Sequence, residues 1–381
     1  MPRRHCEQGL PLDRNNFYPV ILAGGRGTRF WPRSRRTMAK QILALEGKQT
    51  MIQQTMARLL PLASASRFWV ITNPDLRNEI RRQLGKLPER QIIAEPIARN
   101  TAPAIGLAAH ILLRLDPQAV IGMFPADHVI ADEEAFRKAV EHAVQIAASG
   151  ENIVVMGIQP ARPETGYGYI ETGGHVSEGV YRVKRFTEKP NLERAQEFVE
   201  AGNYYWNSGM FFWSARTLVN ALREHFSESA PHLEKIAAAF GTRDFDEVFA
   251  QDYANCENIS VDYAVLEPRS AKGERASNLF CIPANFGWND LGSWAALYEH
   301  HALMKGTASS DGNVIEGSGG YTLDAEGNYI YAPRKFVAAV GVNNLVVVET
   351  EDALLVTTRQ RSQDVSKIVK HLDERKMTKL L

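Results

Sequence analysis

The sequence predicts an α/β fold: a mainly parallel sheet covered by helices on both faces, followed by a small β domain. Three observations carry this. Short, continuously apolar runs alternate with helical periodicities from residue 18 to residue 158. Beyond Gly312 the helical pattern gives way to short β runs broken by Gly, Asn, Asp or Pro. The length of 381 residues leaves room, at about 100–200 residues per domain, for one large and one small domain or two medium ones.

The elements follow in order. Residues 1–16 read as a loose polar tail, and YPVILAGG (18–25) as a buried strand running into glycines. Thr50 is placed to cap a helix whose apolar side carries Ile52, Met56 and Leu59. RFWVIT (67–72) and QIIAEP (91–96) are further strands. Ile105, Ala108, Leu112 and Leu115 lie on one helical face, and AVIGMF (119–124) is the next strand. Asp132–Glu134 give a helix an acidic first turn, which suits the positive end of its dipole. NIVVMGI (152–158) is a strand. The middle region is more mixed: a hairpin around GYGYI (166–170), strands at 180–187 and 204–213, and a helix at 191–200. The C-terminal runs are NVIEG, GYTLD, NYIYAP, FVAAVG, LVVVET and ALLVTT, a loose and irregularly spaced repeat. Val365, Ile368, Val369 and Leu372 then mark a last helix.

Composition excludes several classes. Lys+Arg and Asp+Glu are both 44, so the net charge is 0, unlike a general nucleic-acid binder. The three cysteines form no CxxC pair, so a disulfide framework or cysteine zinc cluster is not expected, and a reducing, cytoplasmic compartment is. The first 16 residues lack an apolar signal core, and no run of 18 apolar residues predicts a membrane span.

The most informative stretch is LAGGRGTRFWPRSRRTMAKQ (22–41). Gly24, Gly25 and Gly27 follow a buried strand, where free backbone N–H groups can cradle phosphate. Arg29, Arg33, Arg35, Arg36 and Lys40 add cations. A Walker A loop needs GK[ST], which is absent, and a dinucleotide GxGxxG fails at Phe30.

Further strings come in order: EPIARNTAPAIGLAA (95–109), FPADHVI (124–130), PETGYGYIETG (163–173), FTEKP (186–190), WNSGMFFW (206–213), ISVDYAVLE (259–267) and WNDLGSW (288–294). With the glycine loop they resemble the sugar-1-phosphate nucleotidyltransferases, and more narrowly the mannose/guanylyl branch, over about residues 18–370. Two positions depart from the family pattern: Ala39 stands for proline, and Asn289 for serine.

The resemblance implies a tail (1–17), a Rossmann-like nucleotidyltransferase domain (18–302) and a short β-helix-like domain with a terminal helix (303–381) that supports homo-oligomer assembly. It implies that mannose 1-phosphate attacks the α-phosphorus of GTP, giving GDP-mannose for polysaccharide synthesis, and pyrophosphate. Longer relatives add an isomerase domain; with this chain ending at Leu381, that activity is not expected. Mg²⁺ is the implied cofactor, held by Asp127 and Asp290. Taken alone, Asp127 also reads as a turn or cap, and Asp290 as the cap of a helix near Ser293.

By the same resemblance, Arg29 holds the departing pyrophosphate and Lys40 a phosphate near the reacting centre. The backbone of Leu22, Ala23, Gly24, Gly25, Gly27 and Thr28 cradles the nucleotide. Glu95, Arg99, Asn100 and Thr101 read the nucleoside, although Thr101 equally suits a helix N-cap. Lys189 pairs with the sugar phosphate, while Glu188, Asn207 and the backbone at Gly168 meet the sugar. Arg33, Arg35 and Arg36 fit surface charge better, the histidines a structural role, and Trp206, Phe211, Phe212 and Trp213 the core. Asp262-Tyr263 has no assigned role. A non-catalytic sensor should have lost some of these charged groups, and a nucleic-acid site on the basic run conflicts with zero net charge. No nucleic-acid or membrane partner is expected.

Overall fold

The computed structural model describes residues 16–304 and 306–381; the N-terminal stretch read as a tail, with Cys6, lies outside the described residues. The larger part of the chain is built on one nine-stranded sheet. Its strands are β1 (Phe17–Leu22), β2 (Trp69–Thr72), β3 (Ile92–Ala94), β4 (Val120–Pro125), β6 (Ile153–Ile158), β7 (Tyr169–Ser177), β8 (Val180–Thr187), β9 (Tyr204–Ser214) and β10 (Leu279–Ala284). The spatial order is β3-β2-β1-β4-β9-β6-β10-β8-β7. β3, β2, β1 and β4 pair in parallel, as do β6 and β10. β9 and β8 run against the rest, so the sheet is mixed and its antiparallel ladders lie in the half beside β9 and β8.

Helices cover both faces. On one face α3 (Thr101–Leu115), α6 (Ala215–His225), α7 (Ala230–Ala239) and α8 (Phe245–Tyr253) pack over Val20, Ile71 and Ile121. On the other, α1 (Met51–Leu59), α2 (Pro74–Gln83) and α4 (Glu133–Ala148) cover Phe17, Ile21 and Val70. Neighbouring residues of one strand thus enter opposite cores, which is why those strands read as unbroken apolar runs. Shorter helices are α5 (Leu192–Ala201), α9 (Glu267–Ser270) and α10 (Trp294–Glu299). Caps set the starts: Gln53 Oε1 accepts from Thr50 N (3.0 Å) ahead of α1, and Asp132 Oδ1 accepts from Ala135 N (2.9 Å) ahead of α4.

One expectation is corrected. The hairpin does not turn at GYGYI: residues 166–168 lead into β7, and the turn to β8 lies at Glu178-Gly179, where Gly179 has φ 69°. Glycine tolerates that left-handed backbone without cost, and the sequence signal at GYGYI serves the cleft instead.

The C-terminal strands form a small β-helix. β12 (Val314–Gly317), β14 (Tyr329–Ala332) and β16 (Leu345–Glu349) stack in parallel, β17 (Leu354–Thr358) closes that sheet antiparallel, and β13 (Gly320–Leu323) pairs β15 (Val337–Val340). The register Val314↔Tyr329↔Val346 puts 15 residues in one coil and 17 in the next, so a fixed-period repeat is hidden. Corner positions recur instead: Gly312, Gly327 and Asn344 all adopt φ between 56° and 70°. Helix α11 (Val365–Glu374) packs back toward the glycine loop.

Candidate active site

The loop after β1 is held from behind. Gln41 Nε2 donates to the carbonyls of Ala23 and Gly25 (2.8 Å each), and Asn73 Nδ2 to that of Gly24 (3.1 Å). Ala23 N donates to Ile71 O and Thr72 Oγ1 to Ala23 O, while Ala126 N donates to Leu22 O. With the carbonyls engaged, the N–H groups of Gly24, Gly25, Arg26 and Gly27 remain free among the described residues, which suits an anion. At Gly27 a Cβ would stand 2.5 Å from Lys40 Cβ, and φ is 60°, so glycine is required there twice over.

Lys40 is buried and joins two distant segments. Its Nζ donates to Asp127 Oδ2 (2.7 Å) and to the Asp290 carbonyl (2.5 Å). Asp127 lies just past β4, and Asp290 just past a short strand β11 (Trp288–Asn289), which pairs with β5 (Val129–Ile130). Burial pushes the Asp127 carboxyl up, but the Lys40 ammonium outweighs it and holds the group below its ordinary value. Tyr167 donates its hydroxyl to Asp290 Oδ1 (2.7 Å). Neither aspartate caps a helix: Asp132 caps α4 and Ser293 caps α10. At the departure Asn289, the side-chain oxygen accepts from Leu291 N (2.7 Å) and shapes the turn that presents Asp290.

Next to this cluster opens a cleft of about 290 Å³. Leu22, Thr101, Gly168, Glu188, Asn207 and Asp290 line it, together with Tyr167, His128, Asp262 and Trp288. A Cβ at Gly168 would stand 2.5 Å from Glu188 Oε2, so the glycine makes room for the carboxylate. Lys189 pairs with Glu188 Oε1 at 2.8 Å. Burial keeps the His128 imidazole neutral, and its Nδ1 lies 3.1 Å from the Trp288 Nε1 donor.

Other candidates sit apart from the cleft or are otherwise engaged. Arg29 is exposed and reaches the Gly292 carbonyl at 3.5 Å. Thr28 opens a short turn, Thr28–Phe30, after Gly27. Glu95 is buried behind the loop, with Oε2 3.4 Å from where a Gly24 Cβ would stand. Burial pushes its carboxyl up to about 7, against the Tyr253 hydroxyl that donates to it at 2.6 Å. Arg99 donates to the Ala254 carbonyl, and Asn100 caps α3 by accepting from Thr101 N (2.9 Å). Asn100 rather than Thr101 is therefore the cap; the Thr101 hydroxyl accepts from Val261 N (2.9 Å). Asn207 is likewise engaged, donating to Asp262 Oδ1 (2.9 Å) and accepting from Gly209 N (3.0 Å).

The remaining cations of the basic run do structural work. Arg33 donates to the Ala44 carbonyl (2.7 Å) and lies over Tyr331, Arg35 pairs with Asp352 (2.8 Å), and Arg36 pairs with Asp75 (2.8 Å). Trp206, Phe211, Phe212 and Trp213 are buried. Sequence reasoning missed Gln41, Tyr167 and Asp262 as site builders. Each lay inside a quoted motif, but a side chain that acts on another residue leaves no signature of its own.

Among known proteins, the nucleotidyl transferase family description matches residues 18–306, and the mannose-phosphate isomerase/GMP-like beta-helix domain matches residues 321–372. The chain is 42% identical over 372 residues to the mannose-1-phosphate guanylyltransferase of Escherichia coli K12, covering 95% of this chain and 74% of that protein. It is 40% identical over 364 residues to the mannose-1-phosphate guanylyltransferase RfbM of Salmonella typhimurium, covering 94% and 72%. A crystal structure described as mannose-1-phosphate geranyltransferase from Thermus thermophilus superposes with TM-score 0.82 at 31% identity, over 94% of this chain and 99% of that one. Fold, ordered motifs and these relatives agree: the chain belongs to the nucleotidyl transferase family, in its mannose-1-phosphate guanylyltransferase branch.

Proposed function

We propose that this enzyme transfers GMP from GTP to mannose 1-phosphate. An anionic oxygen of the sugar phosphate attacks the α-phosphorus, the bond to the bridging oxygen of the β-phosphate breaks, and pyrophosphate leaves with the electron pair. No general base is needed for an anionic nucleophile, so positioning and charge neutralisation carry the rate. The observation behind this reading is the convergence of Lys40, Asp127 and Asp290 beside a cleft that Asp290, Glu188 and Gly168 line.

In this reading the free N–H groups of the loop from Leu22 to Thr28 hold the triphosphate, and Arg29 takes its pyrophosphate end. Lys40 lies at the reacting phosphates, Lys189 takes the sugar phosphate, and Glu188 and the Gly168 backbone meet the sugar. Glu95 lies at the nucleoside; Arg99, Asn100 and Thr101 shape that wall through the contacts they already make.

The donor set also bears on the metal. Asp127 and Asp290 offer hard oxygen ligands, and no three His, Cys, Asp or Glu side chains converge among the described residues. That suits Mg²⁺, which binds one or two carboxylates and completes its shell with phosphates and water. When bound it supplies charge neutralisation on the phosphates.

Pyrophosphate release tests the function. We expect release from GTP with mannose 1-phosphate, little with ATP, UTP, dTTP or glucose 1-phosphate, and a loss of about 10²–10³-fold in Asp127→Ala. Release confined to another pair sinks the substrate reading, and full activity in the variant sinks the role of Asp127.

The β-helix offers a surface for self-association. Tyr321, Leu323, Phe336 and Val340 on or beside β13 and β15 are exposed apolar groups, together with Leu354 and Val356 on β17. Light scattering reads this directly: a homo-oligomer is expected, and a monomer at micromolar concentration ends the idea. No helix among the described residues is long and apolar enough to cross a membrane. Cys256 and Cys281, both free and buried, support a reducing, cytoplasmic setting, which fractionation of the producing cells would test.

A further inference from the structure

Asp262 opens a single π-type turn, Asp262–Leu266, beside the sugar end of the cleft. Turns of this kind displace one residue from helical register and recur at functional sites. The segment before it is fixed by α3: Thr101 Oγ1 accepts from Val261 N (2.9 Å), and Ala102 N donates to Ile259 O (3.1 Å). The carboxylate itself is oriented by Asn207 Nδ2 (2.9 Å), whose amide is set in turn by Gly209 N on its oxygen, and by the Ser260 side chain. Asn207 thus serves Asp262, and Asp262 is the acceptor placed on the cleft.

Glu188 lines the same cleft. Its Oε1 holds Lys189, but its buried Oε2 has no hydrogen-bond partner among the described residues. Two neighbouring carboxyls, one with a buried unpaired oxygen, are costly unless a ligand donates to them. Burial, and then the Glu188 charge, push the Asp262 carboxyl up from its ordinary range. A ring of hydroxyl groups is the matching ligand. Lys189 lies within electrostatic reach of both carboxyls. In the function proposed above, Lys189 takes the phosphate on C1, and the sugar hydroxyl nearest that phosphate is the one on C2. Mannose and glucose differ at C2 alone.

We propose that Asp262, positioned by Asn207, accepts a hydrogen bond from the C2 hydroxyl of the sugar phosphate and sets the choice between C2 epimers. This rests on the sugar-phosphate reading of the cleft.

The test is steady-state kinetics of wild type and Asp262→Asn with GTP, Mg²⁺ and three sugars: mannose 1-phosphate, glucose 1-phosphate and 2-deoxyglucose 1-phosphate. We expect KM for mannose 1-phosphate to rise about tenfold or more, as for loss of a hydrogen bond to a charged group. The preference for mannose over the 2-deoxy sugar should shrink alongside, while KM for GTP stays unchanged and the melting temperature does not fall, because the amide removes a charge that burial disfavours. A preference that stays the same, or an equal loss for all three sugars, overturns the proposal. If Asp262→Asn fails to fold, Asn207→Ala keeps the carboxylate and its Ser260 contact but removes the amide that orients it from the cleft side, and the same narrowing is expected; an unchanged preference there also overturns it. Wild type that turns over no sugar phosphate fails the functional reading first and takes this proposal with it. That outcome is distinct from an active wild type whose preference the variants leave intact.

Discussion

Glu95 shows how far a single buried group can shift the behaviour of the chain. Its carboxyl titrates near 7 in the folded protein, because burial disfavours its charge, against about 4.5 ordinarily. Between those values the folded state keeps a proton that the unfolded chain releases. Stability is therefore full at low pH and declines as pH rises through that window. Glu95→Gln, neutral throughout, should be more stable than wild type above pH 7 by up to about 3 kcal/mol. The gain should vanish below about pH 4.5, and chemical denaturation at pH 4.5 and 8 checks it. A constant difference would rule out the titration as its cause. At this scale Lys40, Asp127, Glu188 and Asp290 were legible through the ordered motifs of the family resemblance; taken alone, Asp127 and Glu188 read as turn residues and Asp290 as a cap, because a charge at the end of an element serves structure and ligand alike. Asn100, Thr101 and Asn207 were less legible: a polar side chain that holds protein and one that holds ligand look alike until its partners are known.

At the scale of elements, the β-helix depends on two buried asparagines. Asn313 Nδ2 donates to the Ala325 carbonyl (2.6 Å), and Asn313 Oδ1 accepts from Asn328 N (3.0 Å) and Nδ2 (2.8 Å). Asn328 Nδ2 also donates to Val342 O (2.9 Å), and its Oδ1 accepts from Leu345 N (2.8 Å). The pair links three successive coils at one corner. Asn328→Ala strands several buried partners at once and should cost about 2–4 kcal/mol, at about 1–3 kcal/mol for each group left unsatisfied. Thermal melting checks this; a shift below about 1 °C would mean that water replaces the side chain. The strands themselves were readable from their apolar runs. Their coil was legible only through the family resemblance and not through periodicity, because lengths of 15 and 17 residues break any fixed period and the recurring feature is a backbone corner. The antiparallel course of β9 and β8 within the sheet was hidden, since strand direction leaves no trace in hydropathy.

Taken whole, the molecule has one core that belongs to neither of its two parts. Phe30, Trp31, Leu43 and Met51 near the glycine loop pack with Trp294 and Leu297 of α10, and with Val314, Tyr329, Val346 and Leu372 of the C-terminal region. Trp294 is central: its ring lies 4.9 Å from Phe30 and 5.6 Å from Tyr329, and its Nε1 donates to Trp31 O (3.1 Å). Trp31 Nε1 in turn donates to Leu380 O (2.8 Å). Trp294→Ala should destabilise by about 3–5 kcal/mol. It should also lower kcat, because the cavity loosens the segment that carries Lys40. Denaturant unfolding and turnover measured together check this, and a stability loss with kcat intact would separate the shared core from catalysis. The shift from helical pattern to β runs announced a second unit in the sequence, but contacts between distant segments did not register there.

The shared core also says where this chain can be cut and rejoined. A crossover near residue 310, where the sequence changes character, would separate Trp294 from Tyr329 and leave each parent half facing a foreign partner. A chimera that exchanges residues 30–51 and 291–298 together with the C-terminal strands and α11 keeps most of the shared core from one parent. The heritable unit for recombination in this molecule is a set of three segments, discontinuous in sequence, and a breeding experiment between homologues should recover survivors along those seams.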